Sequence, residues 1–201
     1  MRCSRQFQSL AALATGGTRK KPPAPRARFD PSRPVRLLGI DGALRTTGFG
    51  LVDCQGNRMT AVDCGVITTT AKQPLSECLR RLAGGIRELV KTYAPDEAII
   101  EGAFFSRNVH TAMMLGSARG AVIAALAELQ IPMYEYAPRR VKQSVCGFGN
   151  ASKPQVALLV AQLLRIQVEN LQDDATDALD LAICHAYTCR VAGGLGVPDA
   201  L

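Results

Sequence analysis

Four carboxylates at three separated places carry the clearest chemical potential of this chain: Asp41, Glu101 and the pair Asp174 and Asp177. Asp41 ends the apolar run Val35-Arg36-Leu37-Leu38-Gly39-Ile40, and Glu101 ends Glu97-Ala98-Ile99-Ile100. Both runs read as buried strands that deliver an acid to a sheet edge. Asp174 and Asp177 stand three apart at the start of an apolar helical segment, so both point to one side of that helix. Desolvated carboxylates repel one another unless something positive lies between them. A divalent metal is the candidate, and convergence of these residues would make the chain a metal-dependent enzyme. Each place also has a plainer reading. Glu101 suits a solvated strand end, and acids in a first helical turn are stabilised by the helix dipole and by capping. Taken alone, the Asp174/Asp177 pair reads first as caps. Asp173 and Asp180 belong with that reading, Asp180 being turned well away from Asp174.

The elements that must position these acids follow from periodicity. The spacing predicts strands at 35–41, about 47–54 and about 58–68, the last two joined by a Gln55-Gly56-Asn57 hairpin turn. Leu75, Cys78, Leu79, Leu82, Ile86, Leu89 and Val90 recur at helical spacing and predict a helix over about 75–92. A strand at about 96–101, a helix at about 108–129 and a short strand at 132–136 come next. Helices near 138–146, 153–165 and 174–190 complete the chain. Three strands joined by hairpins, then strands alternating with helices, imply an α/β fold: a mixed five-stranded sheet covered by helices.

Composition bounds the rest. At 201 residues, with 47% hydrophobic and 5% aromatic content, the chain suits one α/β domain plus an appendage. No continuous apolar run approaches the roughly 18 residues that span a membrane. The net charge of +7 is concentrated at the start, where residues 1–36 hold nine Lys and Arg against Asp30 alone. The remainder carries 15 basic and 16 acidic groups, so any anion-binding surface there is a local patch. Residues 1–34 read as a basic, Pro-rich disordered tail, a domain occupies 35–192, and 193–201 is a short C-terminal tail. The first 29 residues, acid-free with Arg, Ser and Leu/Ala, also match an organelle transit peptide or an upstream start. Seven cysteines without a CxxC pair or zinc spacing read as reduced thiols of a cytoplasm-like compartment.

Further segments carry weaker signals. Gly39-Ile40-Asp41 with Thr47-Gly48 is a strand, turn and strand in which an acid holds a cation while the turn approaches a phosphate; the plain alternative is a hairpin with a polar corner. Phe104-Phe105-Ser106-Arg107-Asn108 offers an aromatic pair beside a base, suited to nucleobase stacking and phosphate contact, or, for one Phe, to core packing. Arg139, Arg140, Lys142 and Lys153 form the concentrated basic region of the domain, which also suits a solvated helix face. Between them Gly147-Phe148-Gly149-Asn150 is a loop whose following helix start can hold phosphate. His110 and His185 read as ordinary helix residues, with His185 at the edge of any site on its helix. Ala112, Gly116, Gly120 and Ala124 form a smooth stripe that meets either the sheet or a second copy of the chain.

Together these segments resemble the RuvC family of the ribonuclease H-like superfamily, bacterial endonucleases that act on Holliday junctions. The resemblance runs from about Leu37 to His185. It rests on Leu38-Gly39-Ile40-Asp41 with Thr47-Gly48-Phe49-Gly50, on Ile100-Glu101 with Phe104 and Asn108, and on Leu115 to Gly120. Tyr136 to Gln143 with Gly147, Gly149 and Lys153, and Asp174 to Leu179, extend it. It implies a ribonuclease H-like fold with Asp41, Glu101, Asp174 and Asp177 as the metal-binding catalytic acids. Phe104 falls where the family stacks an aromatic on a junction base; Lys142 and Lys153 fall where it places basic residues near the DNA backbone. Arg107, Asn108 and Arg140 join them as expected DNA contacts. It also implies a homodimer, two opposed nicks in a four-way junction, and cooperation with the RuvA–RuvB branch-migration complex in recombination and repair. One departure stands out: the family usually follows its first aspartate with Pro-Gly, where this chain has Gly42-Ala43. Altered turn geometry with retained chemistry is expected, since the carboxylate is kept.

The chemistry implied is hydrolysis of a phosphodiester by two Mg²⁺ ions per site, with Mn²⁺ able to substitute. No side chain need be the nucleophile. Two rivals remain: a non-catalytic junction-binding protein with a weakened metal site, suggested by Gly42-Ala43, and an actin-like phosphotransferase, suggested by the first hairpin. The second normally needs two related domains, which about 165 residues cannot supply.

Overall fold

The computed structural model describes residues 33–70, 72–102, 108–167, 172–190 and 196–201. Five strands form one sheet: β1 (Val35–Asp41), β2 (Thr46–Gln55), β3 (Arg58–Thr68), β4 (Glu97–Glu101) and β5 (Met133–Tyr136). Their spatial order is β3-β2-β1-β4-β5. The first three strands are antiparallel neighbours, whereas β4 lies parallel to β1 and β5 parallel to β4. This is the mixed five-stranded sheet the sequence implies, with element ends displaced by only one or two residues.

Five helices are seen among the described residues: α1 (Leu75–Tyr93), α2 (Val109–Glu128), α3 (Pro138–Cys146), α4 (Lys153–Leu164) and α5 (Asp173–Arg190). Strand alternation divides the core into two layers. Leu38, Ile40, Leu51, Ala98 and Ile100 face the α1/α2 layer, where Cys78, Leu82, Ile86, Val122 and Leu126 join them. Leu37, Val52 and Ile99 face the other layer, with Val141, Val156, Val160 and much of α5.

The two layers use their helices differently. In α1, Cys78, Leu82, Ile86, Leu89 and Val90 are buried on one stripe while the opposite face is solvated. By contrast α5 lies directly on the sheet and is covered by α3 and α4. It is buried almost all round, from Ala175 through Ala186 apart from Asp177. A helix in that position has no solvent face on which a polar residue can rest. α2 is long and apolar enough to cross a membrane, with a mean hydropathy of 1.3. Its buried face, Ala118, Val122, Ala125 and Leu126, packs against α1 within the domain. The six described cysteines are free thiols.

Candidate active site

Three carriers bring the acids to one end of the sheet. β1 and β4 run parallel, so Asp41 and Glu101 both emerge at their C-terminal ends. The helix carrier reaches the same place because two residues of the sheet lack side chains. A Cβ on Gly39 would lie 1.9 Å from the Ala178 carbonyl oxygen, and one on Gly48 would lie 1.9 Å from that of Asp174. Any larger residue would lift α5 off the sheet, so these hydrogens set how closely the helix approaches. Gly48 is also the register partner of Asp41. The first turn of α5 therefore rests beside the Asp41 end of β1.

Glu101 is fixed by its backbone. Arg119 of α2 donates from Nη1 to the Glu101 carbonyl at 2.6 Å and from Nη2 to Glu135. Gly102 N–H donates to the Tyr136 carbonyl at 2.8 Å, which continues β4–β5 pairing past the acid. Arg119 drew attention in the sequence only as part of a Gly-Ser-Ala-Arg-Gly segment; the acceptor that gives it a role lies 18 residues away.

Electrostatics shows the acids within reach of one another. Burial raises Asp41 to about 6, and the charges of Asp177 and Asp174 push the same way while Lys153 opposes them. Burial likewise raises Glu101 to about 7, helped by Asp41 and Asp177 and opposed by Lys142 and Lys153. Asp174 is raised by burial, with Lys153 opposing and Asp177 adding. Lys153 Nζ donates to Asp177 Oδ2 at 3.1 Å, and that bond raises the lysine. Among the described residues no three carboxylate, imidazole or thiol groups are arranged to hold one cation. The donor chemistry nonetheless fits Mg²⁺, which takes oxygen ligands from a few carboxylates and completes its shell with water or phosphate oxygens.

Asp180 requires a correction. Its helical position turns it from Asp174 as expected, yet it is neither a cap nor solvated: it is 3% exposed, and its Oδ1 has no hydrogen-bond partner. Burial, then the charges of Asp177 and Glu101, raise it to about 8, and Lys142 opposes them. The sequence signal was the Asp174, Asp177, Asp180 spacing, which winds a third acid beneath the second.

The remaining expected residues fall in several places. Lys142, half-buried on α3, faces Glu101 and Asp180 electrostatically, and Lys153 sits at the start of α4 against Asp177. Arg140 lies with its guanidinium 5.2 Å from the Tyr136 ring centroid and donates to the Gly196 carbonyl at 2.7 Å. Asn108 caps α2, its Oδ1 accepting from Thr111 N–H at 3.1 Å. Phe104 and Arg107 lie outside the described residues. His185 is not at the site edge: it is fully buried and bonded to Tyr136 and Glu97. The Gly42-Ala43 turn needs no left-handed backbone, since Gly42 is absent from the positive-φ positions. The Ala43 carbonyl accepts from the Thr47 hydroxyl, which ties the turn to β2.

A mixed sheet in the order 3-2-1-4-5, with acids gathered at the ends of its first and fourth strands and at a following helix, defines a nuclease-type domain of the ribonuclease H-like class. The family profile described as crossover junction endodeoxyribonuclease RuvC matches residues 37–185. The chain belongs to the RuvC family of crossover junction endodeoxyribonucleases. It is 44% identical over 163 residues to the RuvC of Chloroflexus aggregans, covering 81% of this chain and 99% of that relative. It is 41% identical over 165 residues to the RuvC of Geotalea uraniireducens, covering 82% and 96% respectively. Thermus thermophilus RuvC, solved in complex with a Holliday junction substrate, superposes with a TM-score of 0.76 at 30% identity, covering 83% of this chain and 99% of that one.

Proposed function

We propose that Asp41, Glu101, Asp174 and Asp177 hold Mg²⁺ at this sheet end and hydrolyse phosphodiesters of a four-way DNA junction. The observation that carries this reading is the crowding of like charges at one sheet end: burial and neighbouring acids raise Asp41 and Glu101, an arrangement that a divalent cation relieves. A bound pair of ions supplies an activated water and charge stabilisation of the departing oxygen. The chain supplies the rest. The glycine contacts of α5 and the Arg119 anchor hold the carboxylates in place. Lys142 and Lys153 present positive charge to the phosphate backbone, and Arg140 extends that surface along α3. Gly42-Ala43 leaves the Asp41 turn intact through the Thr47 hydrogen bond, which supports a working site over a weakened one.

A homodimer accounts for paired nicks, because a two-fold assembly sets two sites against a two-fold junction. The outward stripe of α2 supports it: Val109 is 72% and Met113 67% exposed, and a Cβ on Gly116 or Gly120 would meet nothing within 4 Å. Cooperation with the RuvA–RuvB complex and stacking of Phe104 on a junction base belong to the same proposal, supported by the resemblance to the family. The direct test is Asp41→Asn, which keeps junction binding and loses Mg²⁺-dependent cleavage. Cleavage at the wild-type rate by that variant would sink the assignment.

A further inference from the structure

A largely buried polar network joins three elements, with Glu97 at the end of β4 opposite the acids and Tyr136 beside Glu101 in the β4–β5 register. His185 of α5 is 0% exposed. Its Nδ1 lies 2.8 Å from the Tyr136 hydroxyl of β5, and its Nε2 lies 2.8 Å from Glu97 Oε2 of β4. Cys189 Sγ is 3.3 Å from the same Nε2. With Nε2–H donating to the Glu97 carboxylate and Nδ1 accepting from Tyr136 O–H, both ring nitrogens are paired. The Glu97 side chain is only 13% exposed, and His185 is its partner there.

Position makes this pair more than core decoration. Glu97 and Glu101 are four residues apart on β4 and thus share the sheet face that α5 covers. His185 and Asp177 are eight residues apart on α5. At about 3.3 Å per strand residue and 1.5 Å per helix residue, the two spans are roughly 13 Å and 12 Å. α5 and β4 run in opposite directions, with His185 on Glu97 at one end and Asp177 facing Glu101 at the other. Ile99 and Leu181, both within the same apolar cluster, occupy the interval between them. A close-packed interval transmits a register fixed at one end to the other.

We propose that the His185–Glu97 hydrogen bond, braced by Tyr136, is a positioning device that sets α5 against β4 and so fixes the separation of Asp177 from Glu101. The inference rests on the assignment of those acids as metal ligands. Neither residue touches substrate; their effect passes through the two carriers. A displacement of about 1 Å caused by a change far from the chemistry can cost on the order of 100-fold in rate.

The test is the double variant His185→Leu/Glu97→Leu in a Tyr136→Phe background, which leaves none of the three hydrogen-bonding partners buried and unpaired. Mn²⁺ binding to the DNA-free protein, followed by calorimetry, is expected to weaken by about tenfold or more. Single-turnover cleavage is expected to fall likewise, with junction affinity in EDTA unchanged. Glu97→Gln keeps an acceptor for Nε2–H and is expected to stay within about threefold of wild type, as a retained hydrogen bond requires. A folded double variant with wild-type Mn²⁺ affinity overturns the proposal, as does a Glu97→Gln loss equal to that of the double variant. Asp177→Asn in the same assays separates the two readings. An inert Asp177→Asn beside a fully active double variant rejects the positioning device alone; an active Asp177→Asn rejects the acid assignment beneath it.

Discussion

Replacing Asp180 by Asn should change how stability depends on pH more than any other single substitution in this domain. The carboxyl is 3% exposed with an unpartnered oxygen, and burial holds it near 8 against an ordinary 3.8. An acid raised in the fold keeps its proton over a range where the unfolded chain has lost it. The native state then binds more protons, so stability declines as pH rises between those two values. Each unit is worth about 1.4 kcal/mol, giving a ceiling of about 4 kcal/mol by pH 7 for this group alone. Asn has nearly the same shape and no proton to lose. In EDTA, urea unfolding should already favour the variant by about 1 kcal/mol near pH 4.5. The variant should then gain steadily, by several kcal/mol at pH 7.5. Asp41 and Glu101 impose slopes of the same sign on both proteins and cancel in the difference. Parallel profiles across this range would refute the reasoning, by showing Asp180 ionised in the fold and held by Lys142.

Two further outcomes are expected. Because Asp41 and Glu101 are raised to about 6 and about 7, protons compete with Mg²⁺ for these carboxylates. The Mg²⁺ concentration for half-maximal cleavage should fall as pH climbs from 6 to 8, and a flat dependence in a titration series would contradict that. Met113→Glu places a charge on the exposed α2 stripe and should convert a dimer to monomers in analytical ultracentrifugation, with paired nicking reduced to single nicks.

Much of this architecture is legible in the chain because its elements obey simple periods. The run ending at Asp41 and the stripe from Leu75 to Val90 mark β1 and α1 almost to the residue, since one is buried on both faces and the other on one. What periodicity does not carry is adjacency. That Asp41, Glu101 and Asp174 meet depends on β4 pairing parallel to β1 and on Gly39 and Gly48 admitting α5, and no local pattern states which glycine faces which helix. Only ordered similarity to a family linked the acids beforehand. Asp180 and His185 depart from expectation for one shared reason. A helical wheel assumes a solvent side, and α5, enclosed by the sheet and by α3 and α4, has almost none. A polar residue turned from the acids there does not reach water; it enters the core and must find a partner, as His185 does with Glu97 and Tyr136 and Asp180 does not.

The most direct test is cleavage of a synthetic four-way junction by the full chain, with Mg²⁺ and with EDTA, mapping nicks on all four strands. The account predicts paired nicks at symmetric positions on two opposed strands in Mg²⁺, and intact, bound junction in EDTA. Binding without cleavage in Mg²⁺, or nicking that persists in EDTA, would contradict it.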